Sequence, residues 1–272
     1  MASFIHEQAI RLFYGTDPEQ FGELFLPPGS GPHPVVVLLH GGFWRNRYGL
    51  SLMMAAASDL TQRGIAAWNV EYRRVGDPGG GWPGTLQDIA HATDYLQQLA
   101  ASYPLDVQRI ITVGHSAGGQ LALWLAARSR IGQKAGAQSA FPNLFDCSPV
   151  VSPIGAISLA GMCDLVEAWK LNVGDGVVTA FLGGSPESVP ERYAQSSPAA
   201  LLPMGVPQIL IHGTEDPHVP IALSRTYLAA AQEAGDRVNL IELPGIGHSP
   251  LKEPGSVVWP VTVEAIQHLL EP

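Results

Sequence analysis

A five-residue turn, Gly114-His115-Ser116-Ala117-Gly118, constrains the fold more than any other stretch of the sequence. The β-branched run Arg109 to Val113 precedes this turn, and a run rich in helix formers, Gly119 to Arg128, follows it. The turn therefore predicts a buried strand that passes into a helix with almost no loop. Both glycines are needed because a side chain at either position would collide with neighbouring backbone in so sharp a turn.

This geometry predicts a nucleophile. A serine on a strained junction is pushed above the edge of the sheet, where a substrate can reach its hydroxyl. The first amides of the following helix favour negative charge at the same place. A serine hydroxyl is nevertheless a poor nucleophile at neutral pH, so it needs a base and an acid that orients the base. We therefore interpret Ser116 as a catalytic nucleophile and expect two partners elsewhere in the chain.

The rest of the chain alternates between strand and helix patterns. Short apolar runs predict buried strands at residues 35–39, 65–70, 156–160, 208–211 and 238–243. Helical stretches separate them at about residues 50–63, 86–96, 221–234 and 260–270, and the pieces 10–14 and 23–26 predict an opening antiparallel hairpin. This alternation predicts an α/β fold with a mostly parallel central sheet, helices on both faces, and a site at the carboxyl ends of the strands.

The chain of 272 residues suits a single domain, residues 1–272. Two irregular segments, 129–153 and 161–207, interrupt the alternation on the edge that carries the site. We expect them to cover the site as small cap segments. Thr85 with Asp88 resembles a capping box and predicts the start of the helix that follows.

His248 is the predicted base among the nine histidines. It lies in the loop Pro244 to Pro250, directly after the last predicted strand, from which a side chain can reach across the edge of the sheet. His40 and His212 end strands, and we expect them to brace the neighbouring loops. His115 is expected to point away from the site.

Asp216 is the predicted acid because it follows the strand that ends near His212. Glu215 is adjacent but should face the opposite way. Asp164, which follows another strand, is the competing candidate, and either aspartate could instead be a helix cap. The order Ser116, Asp216, His248 is the one expected when all three residues follow successive strands of such a sheet.

Backbone amides are needed where the transition state places negative charge on the substrate oxygen. The amide of Ala117, next to the nucleophile, is one candidate donor. The loop His40-Gly41-Gly42-Phe43-Trp44 supplies the others, from Gly42 and Phe43, because its glycines let the backbone approach the substrate. Phe43, Trp44 and Trp82 are candidates to line an apolar substrate pocket, and each could equally pack in the core.

Composition excludes several classes of function. A net charge of −9 argues against a nucleic acid partner. No apolar run reaches the length of a membrane-spanning helix, and the N-terminus lacks a secretory pattern, so we expect a cytoplasmic protein that acts on a small molecule. Cys147 and Cys163 lack a metal-ligand spacing and no H-E-x-x-H pattern occurs, so we expect neither a metal nor another cofactor.

These motifs together resemble those of the α/β-hydrolases of the esterase and lipase type, and the resemblance covers nearly the whole chain. The segment His40 to Trp44 is similar to the His-Gly-Gly-X-Trp motif of kynurenine formamidases (arylformamidases) and of related carboxylesterases and dipeptidyl-peptidase-like hydrolases. Glu71-Tyr72-Arg73 and Trp82-Pro83 also resemble loops of that group. The resemblance implies the α/β-hydrolase fold and a cofactor-independent serine hydrolase.

Three functions follow from this interpretation. The first is a carboxylesterase that cleaves small carboxylic esters through an acyl-enzyme. The second is an arylformamidase, which would use the same residues on N-formyl-kynurenine or a similar aryl formamide. The third, of another class, is a ligand-binding protein that keeps the hydrolase fold without useful turnover.

Overall fold

The computed structural model describes residues 9–134 and 149–271, which form an eight-stranded sheet with helices on both faces. The strands are β1 Ile10–Phe13, β2 Phe21–Phe25, β3 His33–Leu39, β4 Ala66–Val70, β5 Leu105–His115, β6 Gly155–Leu159, β7 Gln208–Gly213 and β8 Val238–Leu243. They lie in the order β1-β2-β4-β3-β5-β6-β7-β8. The predicted opening hairpin is confirmed, since β1 pairs antiparallel with β2.

Six neighbouring strands of the sheet are parallel, namely β4, β3, β5, β6, β7 and β8. In contrast, β2 pairs antiparallel with β4. The carboxyl ends of the parallel strands therefore meet at one edge. The loops that leave β3, β5, β7 and β8 carry His40, Ser116, Asp216 and His248. The predicted α/β class and the predicted edge are both confirmed for this sheet.

The helices are α1 Met54–Thr61, α2 Gly84–Asp94, α3 Leu96–Leu99, α4 Ala117–Lys134, α5 Leu165–Lys170, α6 Val177–Leu182, α7 Pro190–Ser196, α8 Ala222–Glu233 and α9 Trp259–Leu270. Short 3₁₀ turns precede α1 and follow α7. Three of these helices, α5 to α7, lie in the segment 161–207, where the sequence has helix-compatible pieces between glycine and proline breaks. Within the described ranges, no helix is long and apolar enough to span a bilayer.

The core has two layers, one on each face of the sheet, and β3 contributes to both. Val35, Val37 and Leu39 pack with α2 and α4, whereas Val36 and Leu38 pack with α1 and α9. Every one of these five side chains is buried. The continuous apolar run of β3 is therefore explained by helices on both of its faces.

The capping box at the start of α2 is a wrong prediction. Thr85 Oγ1 donates to the carbonyl oxygen of Arg73 and accepts from the amide of Gly81, and no side chain caps the helix. Asp88 instead accepts from the Arg73 guanidinium at 2.8 and 2.7 Å. An ion pair with Arg73 thus engages Asp88, and backbone groups of Arg73 and Gly81 engage the Thr85 hydroxyl, so neither residue forms the local motif.

Some sequence predictions concern residues outside the described ranges. These are the N-terminal segment up to Glu7, Cys147, and most of the predicted cap segment 129–153.

Candidate active site

Ser116 is the single residue between β5 and α4, and its backbone adopts the strained left-handed conformation with a φ of 58°. The glycines beside it are required by packing. A Cβ on Gly114 would lie 1.9 Å from the carbonyl oxygen of Gly118, and a Cβ on Gly118 would lie 2.0 Å from that of Leu39. The turn that the sequence predicted is therefore present, with the serine held at the start of a helix.

Asp216 and His248 come together through a short hydrogen bond, at 2.6 Å from His248 Nδ1 to Asp216 Oδ2. The other carboxylate oxygen, Oδ1, accepts from the amides of His218 and Val219 at 2.8 and 2.9 Å. Because an ionised carboxylate only accepts, the proton of the imidazole lies on Nδ1. His248 Nε2 is left as the nitrogen that can accept a proton.

The pKa of Asp216 is lowered well below its usual range, so the group is ionised. Burial alone would raise this pKa, but hydrogen bonds from His212, His248 and the Val219 amide outweigh burial. His212 Nε2 lies 3.3 Å from Asp216 Oδ2 and 2.9 Å from the Val219 carbonyl oxygen. His212 therefore braces the acid loop, as the sequence predicted.

Asp164, the competing acid, is occupied elsewhere. It is the N-cap of α5, and its Oδ1 accepts from the amides of Val166 and Glu167 at 2.9 and 3.2 Å. The sequence allowed a helix-cap role for either aspartate, and Asp164 has that role. Glu215 is exposed to solvent.

His115 lies against His248, whereas the sequence predicted that it points away from the site. Its Nε2 lies 3.0 Å from the His248 carbonyl oxygen, and the two ring centroids are 4.4 Å apart. This contact brings the His248 loop beside the Ser116 turn. Among the described residues no hydrogen bond joins Ser116 Oγ to His248 Nε2, and such contacts are often long before a substrate binds.

The loop of Gly42 and Phe43 lies directly against Ser116. A Cβ on Gly41 would lie 3.0 Å from Ser116 Cβ, so only a glycine lets the loop approach so closely. In the part of the chain that the structure describes, no hydrogen bond uses the amide of Gly42, Phe43 or Ala117 as a donor. All three predicted donors are thus unpaired within the protein.

The three aromatic candidates for a pocket occupy different environments. Trp44 is fully buried; its ring stacks on Phe181 at 4.4 Å and its Nε1 donates to Gln120 at 3.2 Å. It therefore packs in the core, one of the two roles that the sequence left open. Phe43 is half-buried, with its ring edge-on to His218. Trp82 is half-buried beneath the Arg192 guanidinium.

A cleft of about 710 Å³ lies at the opposite edge of the sheet, where β7 and β8 begin. Gln208, Val238 and His268 are among the residues that line it, and none of the predicted site residues does. We assign the site by the chemistry of its residues and not by the size of a cleft.

A protein-family model matches most of the chain. The BD-FAE family model matches residues 23–230, from β2 into α8, a range that includes Ser116 and Asp216. The chain belongs to the BD-FAE family.

Two curated proteins similar to this BD-FAE chain carry the names of esterases. A probable isoprenylcysteine alpha-carbonyl methylesterase, ICMEL1 of Arabidopsis thaliana, is 26% identical over 88% of this chain and 50% of its own length. Esterase LipC of Mycobacterium tuberculosis is 24% identical over 90% of this chain and 60% of its own length. The chain thus spans only 50% to 60% of the length of these relatives.

Solved structures share the fold. Esterase Est2 of Thermogutta terrifontis has a TM-score of 0.74 at 21% identity and covers 96% of this chain and 91% of its own. A truncated carbohydrate esterase from gut microbiota has a TM-score of 0.78 at 19% identity and covers 97% of this chain and 98% of its own. The α/β-hydrolase fold that the motifs implied is confirmed.

His115 is the residue at this BD-FAE site that sequence reasoning missed. No pattern in the sequence could have found it, because its partner is a backbone carbonyl oxygen 133 residues away. The pKa of His115 is lowered to about 3, mainly because the ring is buried and secondly because His248 is close to it. The ring is therefore neutral, and its Nε2–H donates to the carbonyl oxygen of His248.

The low pKa of His115 predicts a stability that depends on pH. The unfolded chain binds a proton at this residue near pH 6.5 and the folded chain only near pH 3, so unfolding takes up a proton between these values. The free energy of unfolding falls as pH is lowered through this window, by up to about 1.4 kcal/mol per pH unit. We expect His115→Gln, which keeps a donor but does not titrate, to lose less stability from pH 6.5 to 4 in urea unfolding.

The control for this measurement is His268→Gln, which changes an exposed histidine near the end of α9. It should follow the wild-type dependence on pH. The lowered pKa of Asp216 affects stability mainly below pH 4, the lower limit of the measurement, and it does so equally in all three proteins. Parallel curves for wild type and His115→Gln would contradict the prediction.

Proposed function

We propose that this chain is a serine esterase that cleaves small carboxylic esters through an acyl-enzyme intermediate. The observation that carries the proposal is the hydrogen bond between His248 Nδ1 and Asp216 Oδ2, which leaves His248 Nε2 free to accept a proton beside the Ser116 turn. The names of two relatives, a probable isoprenylcysteine alpha-carbonyl methylesterase and esterase LipC, support an ester as the substrate.

In the first half of the proposed reaction Ser116 Oγ attacks the ester carbonyl carbon, and His248 Nε2 takes the hydroxyl proton. Negative charge develops on the carbonyl oxygen, where the unpaired amides of Gly42, Phe43 and Ala117 would receive it. The tetrahedral intermediate collapses, and the alcohol leaves with the proton from His248. The acyl group is then bound to Ser116.

In the second half, water attacks the acyl carbon and His248 Nε2 takes a proton from it. Collapse of the second intermediate releases the carboxylic acid and returns the proton to Ser116 Oγ. Asp216 remains ionised throughout and holds His248 in the tautomer that carries its proton on Nδ1.

The low solvent exposure of Ser116 and His248 supports a small substrate. Ser116 is 2% exposed, and the side chain of His248 is 11% exposed. The segment 161–207 packs beside the site: a Cβ on Gly174 would lie 2.7 Å from the Phe43 ring, and Phe181 stacks on Trp44. We propose that this segment is a cap within a single domain and that Phe43 and Trp82 contact the substrate.

The test is the initial rate of hydrolysis of p-nitrophenyl acetate, butyrate and octanoate beside N-formyl-kynurenine. We expect the two short esters to give the highest kcat/KM, and a phosphonylating probe to label the peptide that contains Ser116. A higher kcat/KM on the formamide would move the assignment to an arylformamidase. No turnover of any of the four, with no labelling, would leave the ligand-binding alternative.

A further inference from the structure

His40 ends the strand that leads into the Gly42 loop, and both of its ring nitrogens contact an oxygen. Nδ1 lies 2.7 Å from the carbonyl oxygen of Gly41, and Nε2 lies 2.8 Å from Oε1 of Glu71. The ring is buried and stacked on Tyr72, with centroids 4.3 Å apart and planes 6° from parallel. The His40 side chain is therefore fixed in one orientation.

Neither oxygen can donate a proton to the ring. The Gly41 oxygen is a carbonyl. Glu71 is a carboxylate, because its pKa is lowered: burial would raise it, but His40, Arg74 and the Leu50 amide outweigh burial. Both nitrogens of His40 thus face acceptors, an arrangement that an imidazolium satisfies with one hydrogen on each nitrogen.

Tyr72 does not change this conclusion. Its hydroxyl lies 3.5 Å from His40 Nδ1, but it donates its proton to the His40 carbonyl oxygen at 2.7 Å. The phenol oxygen can therefore only accept from Nδ1.

The carbonyl that His40 holds belongs to the peptide unit of an oxyanion candidate. The C=O of Gly41 and the N–H of Gly42 lie in one plane, so a hydrogen bond that fixes the oxygen also fixes the direction of the N–H. A cationic donor on the oxygen withdraws electrons from the amide and makes its N–H a stronger donor. The φ of 110° at Gly42 shows that this peptide adopts a conformation that suits glycine.

We propose that His40, held as an imidazolium by Glu71, is a positioning residue that orients and polarises the Gly41–Gly42 peptide for the oxyanion. The inference rests on the proposed function, since it assigns a residue that strengthens one of the amides of that reaction. His40 itself does not touch the substrate.

The charges around the ring are consistent with a buried cation. Glu71 Oε1 is also 2.9 Å from the Arg74 guanidinium, and Arg74 in turn pairs with Asp77 at 3.2 Å and with Glu19. Two cations, His40 and Arg74, thus face three carboxylates. Without the charge of Glu71, the His40 ring would lie near the Arg74 guanidinium and would contact no carboxylate.

The protonation state is tested without reference to activity, by two-bond ¹H–¹⁵N NMR correlation of the ¹⁵N-labelled full chain at pH 7. The His40 signals are assigned as those that disappear in His40→Gln. We expect both ring nitrogens to show the protonated, imidazolium shift. A single protonated nitrogen would overturn the inference, whatever the rates are.

The positioning role is tested by the kinetics of Glu71→Gln, which keeps the shape and an acceptor oxygen but removes the charge. We expect kcat on p-nitrophenyl acetate to fall by about tenfold to a hundredfold, less than the roughly 10²- to 10³-fold cost of losing an oxyanion donor. KM should change by less than about threefold, and the NMR spectrum should show one His40 nitrogen deprotonated.

Glu23→Gln is the matched control, since Glu23 is a buried carboxylate that pairs with Arg11 at 2.8 Å on an outer strand. It should keep the wild-type kcat. An active wild type whose Glu71→Gln variant folds and keeps its kcat would overturn the positioning role. An inactive wild type would instead refute the proposed function, and the two failures are therefore distinguishable.

Discussion

Replacing Ser116 with alanine is expected to lower kcat on p-nitrophenyl acetate by roughly 10⁴- to 10⁶-fold, the cost of removing the nucleophile of a triad. No acyl-enzyme can form without the hydroxyl, and only substrate binding and the backbone amides remain. Among the described residues no hydrogen bond uses Ser116 Oγ, so its removal leaves no partner unpaired and the melting temperature should change little. Initial rates and thermal unfolding of the purified variant check both parts.

The matched control is Ser196→Ala. Ser196 is also a buried serine, and its hydroxyl has no hydrogen-bond partner in the described part of the chain. This variant should keep the wild-type kcat. Titration with a phosphonylating probe measures any contaminating wild-type enzyme. A Ser116→Ala protein with more than about a tenth of the wild-type rate would refute Ser116 as the nucleophile.

The fold was predictable from the sequence wherever a pattern is decided locally. The run at Val35 to Leu39 is apolar on both alternating faces, and it is a strand covered on both sides. Gly114 is required within its own turn, where an added Cβ would lie 1.9 Å from the carbonyl oxygen of Gly118. Thr85 was misread because its hydroxyl bonds to Arg73, 12 residues away, which a local motif cannot show.

The contacts of the site can be separated in the same way, into those that a sequence pattern predicts and those that depend on how distant segments pack. The pairing of Asp216 with His248 follows from strand order, because loops that leave parallel strands meet at one edge. The contact of His115 with the His248 carbonyl oxygen depends on how two loops pack, and residue types carry no signal of it. Phe43 and Trp44 are adjacent aromatics in the sequence, but Trp44 is buried and its ring stacks on Phe181. The sequence carries no signal of this contact.

The choice between Asp216 and Asp164 is a chemical question as much as a structural one. Both follow a strand and both accept two backbone amides. Only Asp216 has its other oxygen next to histidines, Nδ1 of His248 and Nε2 of His212. The two aspartates thus differ in the contacts of one oxygen, which asparagine can change without changing the shape of the side chain.

Asp216→Asn is expected to lower kcat by about 10⁴-fold at pH 7, as the corresponding change does in a serine protease triad. The amides of His218 and Val219 donate to Oδ1, so the amide oxygen of the asparagine must occupy that position. Its NH₂ group then faces His248 Nδ1 and donates to it. The imidazole proton is forced onto Nε2, which can no longer accept the proton of Ser116.

Asp164→Asn is the matched control for this prediction. Asparagine caps a helix about as well as aspartate, so α5 should persist, with a change in stability of a few tenths of a kcal/mol. Its kcat should stay within about twofold of wild type. Rates on p-nitrophenyl acetate, with urea unfolding to confirm that both variants fold, give the comparison. A large loss in Asp164→Asn beside an active Asp216→Asn would reverse the assignment of the acid, because a cap alone makes no contact that sets the tautomer of His248.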